Sequence, residues 1–263
     1  MFADPRALES LLAFWSDGGV DTCYSDAQVD RTQTDSPQTK ALPATARPIA
    51  AAAPAVSDLI ADPVDEARRL AQEAQDLAGL ALAISAFDGC PLKGMGARQA
   101  VFGRGDGSAP VMVIGEAPGA DEDHQGAPFV GRAGKLLDRI LAAGGLDGRV
   151  FITNTVFWRP PGNRTPTLAE QQACAPFLER AIVLVRPRLL LLVGAAAVKS
   201  VLGQSEGILT LRGRWFEWRS SDGALVIPVM PTLHPAFLLR QPAAKKKLWL
   251  DILALTAKLE ESP

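Results

Sequence analysis

From Pro110 onward the sequence alternates between short apolar runs and longer stretches with helical periodicity. Such alternation is typical of βαβ units, in which crossover helices join parallel strands. It predicts an α/β fold, a three-layer α/β/α sandwich around a central four-stranded parallel sheet. The predicted strands are 111–114, 150–155, 189–193 and 224–229, and the predicted helices are 134–143, 168–185, 195–202 and 245–259.

Polar side chains stand at or beyond the carboxyl ends of three of these strands. Glu116 follows the first strand, Asn154 lies near the end of the second, and His234 follows the fourth. Because the carboxyl ends of parallel strands line one crevice of an open sheet, these side chains are expected to converge. A glycine-rich turn after a strand often binds phosphate, but Glu116, Glu122 and Asp123 would repel one.

The first 61 residues differ in composition from the rest of the chain. Residues 1–24 open with an Asp-Pro helix-start signal and carry apolar residues at helical spacing, which predicts a short helix. Residues 25–61 are rich in Pro, Ala, Ser and Thr, which predicts a disordered linker. A further helix is predicted over 62–86, and residues 62–263 are predicted to form the main folded domain.

Charge and hydropathy narrow the class of protein. Residues 1–85 carry 6 Lys and Arg against 13 Asp and Glu, whereas residues 86–263 carry 21 against 16. The basic main part suits a DNA-binding surface, although on charge alone a domain that binds no nucleic acid is the better interpretation. Apolar runs shorter than about 20 residues, and an N-terminus without a signal-peptide pattern, predict a cytoplasmic protein without membrane segments.

The three cysteines, Cys23, Cys90 and Cys174, lie far apart and form no Cys-x-x-Cys pair. An odd number of widely separated cysteines argues against a disulfide framework. Three thiols are also too few for a complete four-thiolate metal site, so neither kind of cysteine structure is expected.

The chain carries three segments that resemble, in order and spacing, the motifs of type-4 uracil-DNA glycosylases. They are GEAPGADEDHQGAPFVGRAGKLLD (115–138), ITNTVFWRPPGNRTPT (152–167) and MPTLHPAFLLR (230–240). The likeness covers roughly residues 85–255, and three motifs in one order are more specific than any single motif. It implies a monofunctional DNA-repair enzyme that acts on single- or double-stranded DNA containing uracil. Its catalytic domain, residues 62–263, would hydrolyse the N-glycosidic bond of deoxyuridine and leave an abasic site.

The resemblance implies a role for each polar or aromatic residue of these motifs. Phe129 would stack on the extruded base, since an aromatic face can stack on any base. Asn154 would read uracil, because one amide offers the donor and the acceptor that match O4 and N3–H. His234 would donate a hydrogen bond to O2 as negative charge builds on the departing base. Glu116 and Glu122 would hold the attacking water and stabilise an oxocarbenium-like sugar, and the sequence does not divide these tasks between them.

The same motifs offer contacts to DNA beyond the base. Leu238 or Leu239 would fill the gap left by the extruded nucleotide, and Arg240 would meet a phosphate. Arg164, in the Pro-Pro-Gly-Asn-Arg turn, would contact the same backbone. For Leu239, packing into the core is an almost equal alternative, and the three lysines at 245–247 are expected to form a solvated face.

Type-4 members typically bind a four-iron four-sulfur cluster through four cysteines, and this chain matches two of those positions. Cys90 and Cys174 match the second and fourth ligands, whereas Phe87 and Trp158 stand in place of the first and third. Because a cubane cluster needs four ligands, no metal or cofactor is expected. The aromatic residues are expected to fill the vacated volume, with the two cysteines as neighbouring buried thiols. Cys23 lies outside the match.

Two other functions compete with uracil excision. A related glycosylase would prefer another deaminated base, hypoxanthine or xanthine, and a catalytically inactive relative would only bind DNA. Retention of Glu116, Phe129, Asn154 and His234 argues against the inactive relative. We expect a cytoplasmic, nucleoid-associated monomer, whose N-terminal arm either recruits an unknown protein or covers the face without a cluster.

Overall fold

The structure, a computed structural model, describes residues 62–261. The predicted helix 1–24, the predicted linker 25–61 and Cys23 lie outside the described residues. The described part has the predicted α/β fold, built around one six-stranded sheet. Its strands are β1 (Gly103–Gly105), β2 (Val111–Gly115), β3 (Val150–Asn154), β4 (Leu189–Val193), β5 (Phe216–Arg219) and β6 (Val226–Thr232).

The four strands predicted to be parallel, β2, β3, β4 and β6, form the centre of the sheet and pair in parallel. Two antiparallel edge strands complete it, β1 beside β3 and β5 beside β6, and neither was part of the prediction. The sheet order is β1-β3-β2-β4-β6-β5, so the chain moves to one side of β2 for β3 and to the other for β4. A crevice at the carboxyl ends of the strands follows from this reversal.

The strand β6 lies further along the chain than predicted, at Val226–Thr232 instead of 224–229. Pro231 suggests an earlier end, because proline donates no hydrogen bond to a sheet. Pro231 nevertheless pairs with Leu192 in the parallel register, and its carbonyl accepts a hydrogen bond from the Gly213 N–H at 3.0 Å. The extra length carries β6 as far as Thr232, two residues before His234.

The prediction of one helix over 62–86 is wrong, because the chain forms two helices there, with a break at 74–76. Asp62 caps the first helix by accepting from the Val64 N–H at 2.9 Å, and Asp76 caps the second by accepting from Gly79 at 2.7 Å. A second capping acid therefore restarts the helix.

The helices are α1 (Pro63–Glu73), α2 (Leu77–Ala86), α3 (Ala120–Gln125), α4 (Arg132–Ala143), α5 (Leu168–Val185), α6 (Ala195–Leu202), α7 (Ile208–Leu211), α8 (Pro235–Arg240) and α9 (Lys245–Glu261), with 3-10 turns at Pro91–Gly94, Pro161–Asn163 and Pro242–Ala244.

The core has two parts, one on each face of the sheet, because successive side chains of a strand point to opposite faces. On β2, Met112 and Ile114 pack with buried residues of α1, α2, α5 and α6. Val111 and Val113 pack on the other face with buried residues of α4, α8 and α9. The layers are therefore helix, sheet and helix. No helix between residues 62 and 261 has the length and hydrophobicity needed to cross a bilayer.

Candidate active site

The expected convergence is observed at the carboxyl ends of β2, β3 and β6. A cavity of about 560 Å³ there, called the strand-end cavity below, is lined by Glu116, Phe129, Asn154 and His234. Glu116 directly follows β2, Asn154 is the last residue of β3, and His234 forms the N-cap of α8 after β6. Glu122, Arg164 and Arg240 also line this cavity.

Asn154, at the end of β3, is held in place by close packing against the end of β2. The residue is 1% exposed, and Oδ1 is the one buried side-chain N or O atom of the described residues without a hydrogen-bond partner. Gly115 pairs with Asn154 in the sheet, and a Cβ on Gly115 would lie 2.5 Å from both Oδ1 and the Phe129 ring. An unpaired buried acceptor costs about 1–3 kcal/mol, so this atom is suited to a donor on a ligand.

The aromatic side of the cavity is formed by Phe129 and His234. Their ring centroids lie 5.8 Å apart, with an angle of 31° between the ring planes. Phe129 is 5% exposed and has a φ of 54°, in the left-handed region that a bulky residue rarely occupies. Such strained conformations persist where the surrounding structure imposes them, and they cluster at ligand sites.

The tautomer of His234 follows from its role as the cap of α8. Nδ1 accepts a hydrogen bond from the Ala236 N–H at 3.1 Å, so the proton of the neutral ring lies on Nε2. Burial, and then the charge of Arg240, lower the pKa of His234 to about 4, against a smaller opposing effect of Glu122. At neutral pH the ring is therefore an uncharged Nε2–H donor.

The two glutamates differ in their hydrogen bonding. The Glu122 carboxylate accepts from the backbone N–H of Gly119 and of Gly131, each at 3.0 Å, and so joins the start of α3 to the start of α4. The hydrogen bonds found within residues 62–261 include none to the Glu116 carboxylate. Glu116 thus offers free acceptor oxygens to the strand-end cavity, whereas both oxygens of Glu122 have partners in the protein.

Two buried polar contacts fix the strand ends, and sequence reasoning missed both. Thr155 Oγ1 donates to the Glu116 carbonyl at 2.7 Å and so ties the residue after β3 to the residue after β2. Thr232 Oγ1 donates to Asp251 at 2.6 Å, and Arg212 Nε donates to the same carboxylate at 3.0 Å. An acid on the apolar face of the last predicted helix was the available signal for Asp251, since acids are rarely buried without partners.

The residues predicted to contact DNA have different surroundings. Leu238 is 0% exposed and belongs to the core under α8, whereas Leu239 is 40% exposed. Arg240 is exposed at the end of α8. The guanidinium of Arg164 forms a bidentate pair with the buried Glu170, at 2.8 and 2.6 Å, which lowers the pKa of Glu170. Part of the hydrogen-bonding capacity of Arg164 is therefore used within the protein.

Phe87, Cys90, Trp158 and Cys174 occupy the positions that match the four cluster-binding cysteines of type-4 members. We call these four residues the cysteine region. All four are buried, and the two sulfur atoms lie 3.9 Å apart. The Phe87 ring packs edge-on against Phe177, with centroids 5.2 Å apart. Burial raises the pKa of the Cys174 thiol well above its ordinary value.

These donors do not fit a four-iron four-sulfur cluster, which needs four ligands where this region supplies two thiols. Across residues 62–261, no group of three or more His, Cys, Asp or Glu side chains is arranged to hold a metal ion.

A second concavity, of about 600 Å³, lies on the helical layer between α1 and α5. Side chains such as Arg68, Gln172 and Arg180 line it, together with Ser221 and Asp222 of the turn between β5 and β6. The carboxyl ends of the parallel strands do not contribute to its lining. In an open α/β sheet the ligand site lies at the carboxyl ends of the strands, which favours the strand-end cavity.

Comparison with known proteins agrees with the geometry. The profile of the family described as "Uracil DNA glycosylase superfamily" matches residues 102–254. A protein of Pyrobaculum aerophilum is 39% identical over 182 residues, which cover 67% of this chain and 91% of the relative. Proteins of Sulfurisphaera tokodaii and Thermotoga maritima are 40% and 39% identical, covering 61% and 57% of this chain and 77% of each relative. All three bear the name "Type-4 uracil-DNA glycosylase". The chain belongs to the uracil DNA glycosylase superfamily.

Proposed function

We propose that this protein removes uracil from DNA by hydrolysing the bond between the base and the deoxyribose, leaving an abasic site for base excision repair. The observation that carries the proposal is the buried, unpartnered Oδ1 of Asn154, which faces a cavity that also contains an aromatic ring and a neutral imidazole. The name shared by the relatives, "Type-4 uracil-DNA glycosylase", supports the same chemistry.

Recognition of the base would depend on Phe129 and Asn154. The nucleotide must leave the helix before it can reach a cavity at the end of a sheet. Phe129 would then stack on the ring, and the Asn154 amide would accept from N3–H and donate to O4. Cytosine has an acceptor at N3 and a donor at N4, so it would leave the Asn154 amide badly paired. Such unpaired groups in a dry site discriminate strongly between bases.

Departure of the base would depend on His234. When the bond between C1′ and N1 breaks, its electrons go to the base, and negative charge develops on O2. The Nε2–H group of a neutral imidazole can donate to that oxygen. Because Nδ1 already accepts a hydrogen bond from a backbone N–H, the ring stays uncharged while it donates. One preorganised donor of this kind contributes roughly 3–4 kcal/mol to lowering the barrier.

Water attack would depend on Glu116. Its carboxylate is free to accept from the water that adds to C1′, and its charge would stabilise the positive sugar in the transition state. Glu122 would act by fixing the loops that carry Glu116 and Phe129, since both of its oxygens hold backbone N–H groups. Its charge would add a smaller electrostatic contribution to the sugar.

Binding of DNA would use the surface around the strand-end cavity. The exposed Leu239 would enter the gap left by the nucleotide, while the buried Leu238 would support α8 from the core. Arg240 and Arg164 would contact phosphates, and the exposed lysines at 245–247 would add favourable long-range charge. Residues 62–263 would be the catalytic domain and act as a monomer beside cytoplasmic DNA, with residues 1–61 as an arm for a protein partner.

The protein would work without an iron–sulfur cluster or another metal. None of the residues proposed for excision belongs to the cysteine region, so their roles do not depend on a cofactor. Iron and acid-labile sulfide analysis of purified protein, prepared without exposure to air, tests this point. Stoichiometric iron in that preparation would contradict it.

The test of the function is release of free base from duplexes that each contain one uracil, hypoxanthine or xanthine. We expect uracil to be released fastest, and we expect Asn154→Ala to be slower by about 100-fold or more because it leaves the base unread. Gln72→Ala, which removes an exposed amide of α1, is the matched control and should retain full activity. Equal or faster release of hypoxanthine would replace uracil as the substrate, and DNA binding without release of any base would support an inactive relative.

The same assay separates the two glutamates. Glu116→Gln should lower kcat more than Glu122→Gln, whereas Glu122→Gln should lower Tm more than Glu116→Gln, because only Glu122 accepts backbone hydrogen bonds. The reverse pattern would contradict the assignment.

A further inference from the structure

The backbone of Phe129 needs support that the catalytic motifs do not themselves explain. Its φ of 54° is strained for an aromatic residue, and the loop that carries it contains no helix or strand. A strained conformation persists only where the surrounding structure holds it, and a side chain can do so through the carbonyl groups of the two flanking peptide units. The two carbonyl groups in question are those of Pro128 and Phe129.

Both carbonyls are held by one side chain, that of Arg104. Its Nε donates to the Pro128 carbonyl at 2.8 Å, and its Nη2 donates to the Phe129 carbonyl at 3.2 Å. The same Nη2 donates to Asp138 Oδ1 of α4 at 2.6 Å, which fixes the plane of the guanidinium. The side chain of Arg104 is 30% exposed and that of Asp138 is 47% exposed, so solvent weakens this ion pair only in part.

Arg104 also connects this loop to the strand that ends in Asn154. It lies at the centre of β1, where it pairs with Ile152 of β3, two residues before Asn154. On the other side of the loop, Gly134 of α4 packs so closely that a Cβ would lie 1.7 Å from the Phe129 carbonyl oxygen. The Phe129 loop is thus confined between the edge of the sheet and α4.

We propose that Arg104 is a positioning residue for base stacking, which holds the Phe129 ring at a fixed place relative to the Asn154 amide. This inference rests on the proposed function. The guanidinium acts through the loop carbonyls and does not touch the base. Its donors point at Pro128, Phe129 and Asp138, so it is not arranged as a contact to phosphate.

We call the hydrogen bonds from Arg104 to the Pro128 and Phe129 carbonyls the clamp, and its loss should have a measurable kinetic effect. Loss of the clamp lets Phe129 relax and misplaces the base relative to Asn154 and His234, which slows the chemical step more than it weakens binding of DNA. Misplacement of a reacting group by about 1 Å can cost about 100-fold in rate. Arg104→Gln should therefore lower kcat, measured as the single-turnover rate constant for release of uracil, by about 10- to 100-fold. The Kd for uracil-containing duplex should change by less than about 3-fold, because few phosphate contacts are lost.

The experiment compares Arg104→Gln, Arg104→Lys and Asp138→Asn with Arg139→Gln as the control. Arg139 is exposed on the same helix as Asp138, and its Nε bonds only to the Lys135 carbonyl of its own helix, so it matches the charge change. Arg104→Lys can restore one of the two carbonyl bonds and should recover part of the rate, and Asp138→Asn should lose a few-fold. The control should keep the wild-type kcat. Rates are measured well below the Tm of every variant.

Hydrogen exchange of residues 127–131 provides a readout that does not depend on activity. The amides of this loop should exchange faster in Arg104→Gln and at the wild-type rate in Arg139→Gln. An unchanged kcat in Arg104→Gln, or unchanged exchange in this loop, would overturn the proposal. So would a loss of DNA affinity with kcat intact, since that would identify a phosphate contact. A wild-type protein that releases no uracil would refute the proposed function, while the exchange measurement would still decide whether the clamp exists.

Discussion

The strand-end cavity and the cysteine region differ in how their polar and strained groups are satisfied. In the cavity, Asn154 Oδ1 has no partner and Phe129 has a left-handed backbone. In the cysteine region, two aromatic rings are fully buried and the two thiols lie beside each other at 3.9 Å. The first arrangement presents an unpaired buried acceptor beside a cavity, and the second is a packed core.

This difference predicts that the residues proposed for excision and the support of their loops are separable. The segment after α2 and the helix α5 are held together here by apolar packing, in a region where type-4 members typically place a metal cluster. Phe87 packs on Phe177 of α5, and Phe157, which precedes Trp158, packs on the same Phe177 ring. Aromatic packing fixes the distance between two segments, as bonds from both segments to a shared metal would.

The largest expected effect concerns stability in the cysteine region. Trp158→Ala removes a side chain that is 1% exposed and leaves a cavity, which should lower the free energy of unfolding by about 3–5 kcal/mol. Trp215→Ala is the matched control, because Trp215 is 38% exposed and should cost less than about 1 kcal/mol. Urea denaturation of the variants measures both values.

The same variant tests the separation of the two regions. At a temperature well below its Tm, Trp158→Ala should release uracil at a rate close to that of the wild-type protein. A loss of kcat as large as that expected for Asn154→Ala, with the fold intact, would show that the cysteine region takes part in excision.

The next effect concerns acid stability and belongs to the strand-end cavity. His234 has a folded-state pKa of about 4 against an ordinary value of 6.5, so the unfolded chain binds a proton that the folded chain does not. The stability of the folded protein should therefore fall as the pH falls from 6.5 to 4, by up to about 3 kcal/mol from this residue. His234→Gln should remove that part of the pH dependence in denaturation curves at pH 7 and pH 4.

The second histidine of the chain provides the control. His124 is exposed and lies outside the lining of the strand-end cavity, so His124→Gln is measured beside His234→Gln as a variant that removes the other imidazole. If His234→Gln and wild-type protein lose equal stability on acidification, then the imidazole is not buried in its neutral form. That outcome would also remove the argument for an uncharged donor in the cavity.

Much of the fold followed from periodicity, because apolar runs and helix-start signals act locally. The strand β4 and the helices α5 and α6 have the predicted bounds, 189–193, 168–185 and 195–202. The edge strands β1 and β5 were missed, since a three-residue Gly-Arg-Gly strand carries no alternating pattern and pairs only through β3. The break between α1 and α2 was missed because Asp76 reads equally well as a solvated residue within a helix.

For the site, the sequence indicated which residues meet, because strand ends converge in a parallel sheet whatever the distance along the chain. It could not indicate which glutamate is free, since the bonds of Glu122 to Gly119 and Gly131 depend on how two loops approach. Nor could it identify Arg104, which lies outside every motif and acts on carbonyl groups that all residues possess. Unlike a helix cap, a contact from a side chain to the backbone of residues 24 and 25 positions away leaves no local pattern in the sequence.

The smallest expected effect concerns the two remaining cysteines. If the cysteine region is a packed core, each thiol contributes as a small apolar group, and Cys90→Ala or Cys174→Ala should cost about 1 kcal/mol of stability. Neither variant should change the rate of uracil release or the iron content. Cys23→Ala, outside the described residues, controls for the loss of a thiol. If instead either substitution released bound iron, the thiols would be ligands, and the contrast between a ligand site and a packed core would fail.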